Sequence, residues 1–243
     1  MAHLPRTIGA LAISLFVMGC AASRDGDLAS PTSASDTRVE LRLRRVGELS
    51  GSFGDLRLRE SDLVVEYRAA GRGGAALDAG RVTLDAIDLP REGDATRPRY
   101  RLINDPMRDV PVGGGSFAVL AHSGGPGLAA GSARIEIAAW PRVVEPRGGE
   151  GRLRSEGILI VLEPPIGGTW HRVTIDGGGG NATARNMGLG RWELRPEDLA
   201  GLSPGPARLL VEAQTSCSDC RGGHGLAARW STVSQLELPI SLY

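Results

Sequence analysis

The chain has 243 residues, with 28 basic side chains against 28 acidic ones, 35 glycines and 4% aromatic residues. Balanced charge gives no extended basic field for nucleic acid and no polybasic run for an anionic lipid surface. All 28 basic residues are arginine, which excludes chemistry that needs an amine side chain: Walker-type phosphate loops, Schiff bases and lysine general bases.

The chain opens with Arg6 and then an uncharged apolar run through Ile8, Leu11, Ile13, Leu15, Phe16 and Val17. A positive head, an apolar core and a small residue before a cut are the parts of a secretory signal peptide. The run is about 13 residues, short of the roughly 20 needed to span a bilayer core. Its end, Val17-Met18-Gly19-Cys20, resembles the lipobox of bacterial lipoproteins. The resemblance implies that residues 1–19 are removed and that Cys20 carries the lipid. It also implies outer-membrane sorting, since Ala21, not Asp, follows the cysteine. Residues 20–37, rich in Ala, Ser, Asp, Pro and Thr, are expected to form a flexible tether.

Strand patterning begins at Arg38. Val39, Leu41 and Leu43 alternate with Arg38, Glu40, Arg42 and Arg44, giving one dry and one wet face. Similar short runs follow around Leu56 and Leu58, Leu63 to Ala69, Val82 to Ala86, Tyr100 and Leu102, Phe117 to Ala121 and Ile135 to Ala139. The phase breaks between Ala86 and Ile87, as a bulge or bend near Ala86 would require. Glycine-rich stretches at 71–74, 113–115 and 124–127 supply turns. Pro141, Pro146, Gly148, Gly149 and Gly151 cluster where a boundary is expected, dividing a β-sandwich domain at 38–141 from another at 142–243.

In the second half, residues 157–162 read as a central strand and 170–175 as an alternating one. Further strands fall around Trp192 and Leu194 and over 207–213, and a last run closes with Leu236, Leu238, Ile240 and Leu242. Pro239 in that run argues for an edge position or a bulge. The order of these elements, with the Pro164-Pro165 turn, Trp192-Glu193-Leu194-Arg195-Pro196, Asp198-Leu199 and the Leu209 and Val211 strand, resembles bacterial Ig-like and fibronectin-III-like domains. That resemblance implies an antiparallel β-sandwich with a short helical turn over 196–205. The expected fold is therefore all-β, two Ig-like sandwiches in tandem, with one large sandwich as the alternative.

Few residues suggest chemistry. Cys217 and Cys220, an even pair in an exported chain, fit a small disulfide pinning a loop. The sharper readings are a redox dithiol, or a metal site of Cys217, Cys220 and His224 with Asp219 as a fourth ligand. Structural zinc draws on paired motifs, and the second pair is missing. Gly201-Leu202-Ser203-Pro204-Gly205 matches the nucleophile-elbow letters, and His122-Ser123-Gly124-Gly125 has the look of an oxyanion loop. The strand–elbow–helix setting is absent, so both read as glycine-rich loops. Asp176 before four glycines reads as a hairpin turn, not a calcium loop. Trp140, Trp170, Trp192 and Trp230 are expected to pack in the core; a sugar platform would need exposed rings sharing a face.

The resulting expectation is a non-enzymatic binding or structural module of the cell envelope, anchored through Cys20, with no cofactor. Its partners would be the membrane and an envelope protein, not nucleic acid. Function would sit on the loops at 71–80, 105–115, 122–131 and 216–225. A carbohydrate or small-ligand binder is the alternative, and an envelope enzyme a further one.

Overall fold

A computed structural model describes residues 37–50, 55–69, 74–94, 96–103, 117–163, 169–221 and 226–243. The signal segment, Cys20, most of the tether, residues 105–115, the Pro164-Pro165 turn and His224 lie outside them. The strands are β1 (Thr37–Ser50), β2 (Asp55–Ala69), β3 (Val82–Leu84), β4 (Ile87–Leu89), β5 (Arg91–Glu92), β6 (Arg99–Ile103), β7 (Phe117–His122), β8 (Gly131–Glu136) and β9 (Val143–Glu145). They continue with β10 (Gly151–Arg152), β11 (Ile158–Leu162), β12 (Trp170–Gly177), β13 (Gly180–Thr183), β14 (Arg185–Gly188), β15 (Arg191–Leu194), β16 (Gly205–Arg221) and β17 (Ala227–Leu242). One short helix, α1 (Pro196–Leu199), lies in the expected 196–205 connection. Pro196 can start it because the first helical position needs no backbone donor, and the Asp198 carboxylate accepts from the Arg195 amide at 2.9 Å.

The fold is an all-β sandwich built on one large sheet. Its order is β13-β12-β16-β17-β1-β2-β6-β5, with β10 added beside the end of β17. Two four-stranded sheets, β4-β3-β7-β8 and β14-β15-β11-β9, complete it. Residues of the first small sheet meet β1, β2, β6 and β17 in a core of Val39, Leu41, Leu63, Tyr67, Leu120 and Ile135, among others. Residues of the second meet β12, β16 and β17 in a separate core around Ile160, Val173, Ile175, Leu194, Leu209 and Ile240.

The expected division at 141/142 separates the two small sheets but not the two cores. Leu226, Ala228 and Trp230, near the chain's end, belong to the first core, while Leu238, Ile240 and Leu242 of the same strand belong to the second. Leu49 of β1 packs against the second core. The reason is strand length: β17 has 16 residues and β16 has 17, and at about 3.3 Å per residue each runs roughly 50 Å. Where the alternation over 207–213 suggested a short strand, β16 continues through Arg221. Tandem independent sandwiches therefore give way to two sandwiches sharing a continuous sheet.

Between the cores the inward positions of β17 turn polar. The Thr232 hydroxyl accepts from the Ala138 amide at 2.8 Å and donates to the Glu136 carbonyl. Ser234 donates to the Ala138 carbonyl at 2.7 Å, and buried Arg45 donates to both Ser234 and Ala138. The Arg45 guanidinium also lies 4.6 Å from the Trp140 ring, and burial pushes its pKa down to about 10. Gly47 leaves room for that ring: a Cβ there would sit 3.1 Å from Trp140 and 2.8 Å from Leu56. The segment joining the two small sheets is thus stitched to the large one.

Two local expectations take a specific form. The phase break at Ala86 is the tip of the β3–β4 hairpin: Leu84 pairs with Ile87, and Asp85 and Ala86 both take positive φ, the geometry of a two-residue turn. Pro239 lies in a strand that is central for most of its length. It is tolerated because β1 pairing ends at Glu237, so the missing amide leaves no β1 ladder bond unmade.

Two outcomes follow. Because β16 and β17 pass through both cores, Ile160→Ala in the second core should cost about 2–5 kcal/mol and lower the stability of the first by the same amount. Urea unfolding followed separately through Trp230 and Trp192, each as the sole tryptophan, should give coincident midpoints; two resolved midpoints would show independent sandwiches. His122 is buried in the first core against Tyr67, ring centroids 4.8 Å apart, with neither ring nitrogen bonded among the described residues. Burial holds its pKa below the usual imidazole value. The unfolded chain therefore binds the proton first, so the His122 contribution to stability should fall as pH drops below about 6.5 and level off below its folded-state pKa. In His122→Leu the slope of stability against pH should shrink by that contribution, leaving the part from the other groups, among them His171, which burial shifts the same way; an unchanged slope in pH-dependent melting would contradict this.

Candidate functional site

The outward side chains of the large sheet are mostly charged and polar across five strands, with Val64, Val233 and Ile103 among them. By register, Arg38 lies opposite Arg68. Glu40 lies between Arg229 and Glu66, Arg42 between Ser231 and Val64, and Arg44 between Val233 and Asp62. The pattern continues outward to Arg101 of β6, opposite Val64, and on the other side to Ser216 and Gln214 of β16, opposite Ser231 and Val233. Period-two alternation forces this: each strand that buries Val39, Leu41 and Leu43 must present Arg38, Glu40, Arg42 and Arg44 on the other side.

Part of this lattice is locked. Arg101 holds Asp62 with two bonds, 2.9 and 3.0 Å, which keeps the Asp62 carboxyl below the ordinary carboxylate range. Arg68 donates to Glu66 at 2.8 Å, and that bond raises the Arg68 pKa. Arg44 donates to Gln235, and Arg59 pairs with Glu237 at 3.0 Å. The side chains of Arg38, Arg42 and Arg229 make no hydrogen bond or ion pair among the described residues, though the charge of Arg42 also helps hold the Asp62 carboxyl low. The two rows Arg38–Arg68 and Glu40–Glu66 place like charges directly opposite, an arrangement that costs stability in a sheet.

Two clefts flank the Glu66–Arg68 pair and share it. One, of about 720 Å³, lies toward the β5–β6 edge and is lined by Gly74, Asp94, Thr96, Arg97 and Arg99. The other, of about 550 Å³, crosses β1, β17 and β16 and is lined by Glu40, Arg42, Gln214, Ser216, Arg229 and Ser231. Beyond Gln214, in register with it on β12, stands Trp170, 55% exposed. On the buried side of β6, the Tyr100 hydroxyl donates to Asp78 at 2.8 Å and accepts from the Ala79 amide. Burial foremost pushes Tyr100 up to about 12, while the Gly80 amide, then Tyr100, hold Asp78 low. Arg91 pairs with Asp78 at 3.0 Å. This cluster braces the connection leading into β3.

The residues singled out in the sequence do not converge. Cys217 and Cys220 are joined in a disulfide, with Cα atoms 5.9 Å apart, at an irregularity in the β16–β17 ladder. With both sulfurs in that bond, neither is a thiolate ligand or a redox dithiol in this state. Ser203 follows α1 beside the second core, while His122, of the loop likened to an oxyanion hole, is buried in the first; His224, the triad base that Ser203 would need with Asp219, lies outside the described residues. Asp176 leads the β12–β13 hairpin. Trp192 and Trp230 are buried as expected, but Trp170 is not, and Trp140 lies under Arg45.

Of the loops expected to carry function, 71–80 borders the first cleft through Gly74, Ala75 and Ala76 and 216–225 borders the second through Ser216, Cys217 and Ser218, while 105–115 lies outside the described residues. The sheet face was visible only as the wet half of an alternation. A signal was present in Arg38, Arg42 and Arg44, at even spacing on one strand, but nothing in the sequence says which strands lie beside it.

No protein-family model matches the chain, and no curated protein matches it. Among solved structures it is similar to the fibronectin(III)-like modules of Clostridium thermocellum CbhA, at 10% identity, covering 87% of this chain and 93% of that one, with a TM-score of 0.21. It is also similar to the I9–I11 tandem of titin, at 7% identity, 84% and 66% coverage and a TM-score of 0.24, and to DIP-gamma IG1+IG2, at 12%, 86% and 99%, with 0.23. Superpositions this loose carry no argument about function; the sandwich class rests on the chain's own sheets and cores.

Proposed function

We propose that this chain is a lipid-anchored cell-envelope module that binds a partner or ligand, without catalysis, through the outward face of its large sheet. The observation that carries the binding reading is the pair of polar clefts meeting at Glu66 and Arg68, with Arg42 and Arg229 available beside them. Strands hydrogen-bonded on both sides hold those side chains on a rigid surface, which lowers the ordering cost of binding. The Val17-Met18-Gly19-Cys20 motif supports the anchoring half of the reading. Lipid on Cys20, an outer-membrane address and a disulfide-permissive compartment make one consistent picture with the Cys217–Cys220 bond.

The anchoring test is a labelled fatty acid fed to cells making the wild-type chain or Cys20→Ala. Label should enter the wild type alone, and the variant should move from the membrane to the soluble fraction. Equal labelling, or a variant that stays with membranes, would overturn the lipoprotein reading. For binding, a photo-reactive residue at Ser216 or Ser231 should give a discrete adduct in intact envelopes, while one at Thr83, on the first small sheet, should not.

A further inference from the structure

We infer that the two clefts form one trough for a linear acidic glycan, a polysaccharide whose carboxylates are spaced by neutral hydroxyl-bearing sugars. The inference rests on the binding reading above and names its ligand class. The trough runs from Gln214 on β16, across β17, β1 and β2, to Arg99 on β6, four inter-strand spacings or about 19 Å. That length suits an oligomer better than a single small anion.

Charge sets the chemistry. The clefts are lined by five arginines, Arg42, Arg68, Arg97, Arg99 and Arg229, against the carboxylates Glu40, Glu66 and Asp94, and Arg99 is paired with Glu92 at 3.3 Å. Asp94 is occupied by the Thr96 and Arg97 amides and the Thr96 hydroxyl. Glu66 is held by Arg68, while Arg42 and Arg229 remain open to a carboxylate, which a guanidinium binds in planar, two-bond geometry. Glu40 lies opposite Arg229 and one alternation from Arg42. A densely charged polymer would be repelled there, whereas a sugar hydroxyl can donate to it. Alternating cation and carboxylate therefore match a ligand with sparse negative charge and many hydroxyls.

Two further observations favour a glycan over an acidic protein surface. The outward residues along the trough are mostly polar; Val64 and Val233 are only partly exposed and Ile103 is exposed at the β6 side, so apolar residues are scattered and do not form the apolar centre of a protein interface. At the β12 side, the exposed Trp170 offers a flat apolar ring beside Gln214, which itself donates to Ser231 at 3.2 Å. An indole next to amide and hydroxyl groups suits a sugar face with hydroxyls at its rim.

The test is calorimetric titration of the detergent-solubilised full chain with hyaluronan, unsulfated chondroitin and heparosan, in each of which a uronate alternates with a neutral N-acetylhexosamine, beside neutral dextran, dextran sulfate and poly-aspartate. At least one of the three uronate polymers should bind, with dextran silent and the two dense polyanions weaker. Arg42→Gln/Arg229→Gln should weaken that binding at least about tenfold, the loss expected when charge-assisted bonds are removed. Trp170→Ala should weaken it while leaving circular dichroism and the melting temperature unchanged. Failure of all three uronates, equal binding of poly-aspartate, or indifference to both variants would overturn the proposal. A protein adduct at Ser231 with no glycan binding would leave the envelope-binding reading standing and remove this one. Uronate binding by a chain that takes up no lipid would do the reverse for the anchor.

Discussion

The parallel pairing of β1 with β17 is the constraint on which the rest of this structure depends. It runs in register from Arg38 beside Ala227 to Glu48 beside Glu237, and it joins the first described strand to the last. Without it, β2 and β6 would belong to one sheet and β12 and β16 to another. With it, a single hydrogen-bonded surface passes beneath both small sheets. Such a contact between distant parts of the chain carries a large closure entropy, which the two cores must offset by burying the inward side chains of both strands.

The cores remain distinct because the shared strands change character midway. Ala228 and Trp230 are apolar, Thr232 and Ser234 are polar, and Leu236, Leu238 and Ile240 are apolar again, all on the same face of β17. A buried hydroxyl is costly unless bonded, so these two fix the path of the crossing segment at Glu136 and Ala138 instead of leaving it free to slide. Arg45 adds a charged donor and stacks on Trp140, while its alkyl stem can lie along apolar neighbours. The waist is thus a polar seam between two dry interiors, not a linker between two domains.

That seam and the long sheet also make the outward face what it is. Isolated sandwiches would each present a few short strands. Four strands of 14 to 17 residues, paired side by side, present a broad surface in which residues far apart in sequence become neighbours: Arg42, Glu66, Gln214 and Arg229 line clefts together. Stability there is partly sacrificed, since Arg38 faces Arg68 and Glu40 faces Glu66. A surface selected only for solubility could avoid both pairings by exchanging one residue in each.

The sequence by itself determined the strand class and the inward faces. Alternation at Val39, Leu41 and Leu43 and at Val173 and Ile175, the glycine-marked turns and the α1 segment are local properties, set by a side-chain period of two and by backbone preferences of single residues. It also carried the Cys217 and Cys220 pair, but residues three apart in an extended strand lie about 10 Å apart, so their approach to 5.9 Å depends on the irregularity in the β16–β17 ladder. The strand partners, the sharing of β16 and β17 between cores, the exposure of Trp170 and the gathering of arginines were decided only in three dimensions. Each depends on which strand lies beside which. A period-two pattern tells every strand which face to bury and says nothing about its neighbour.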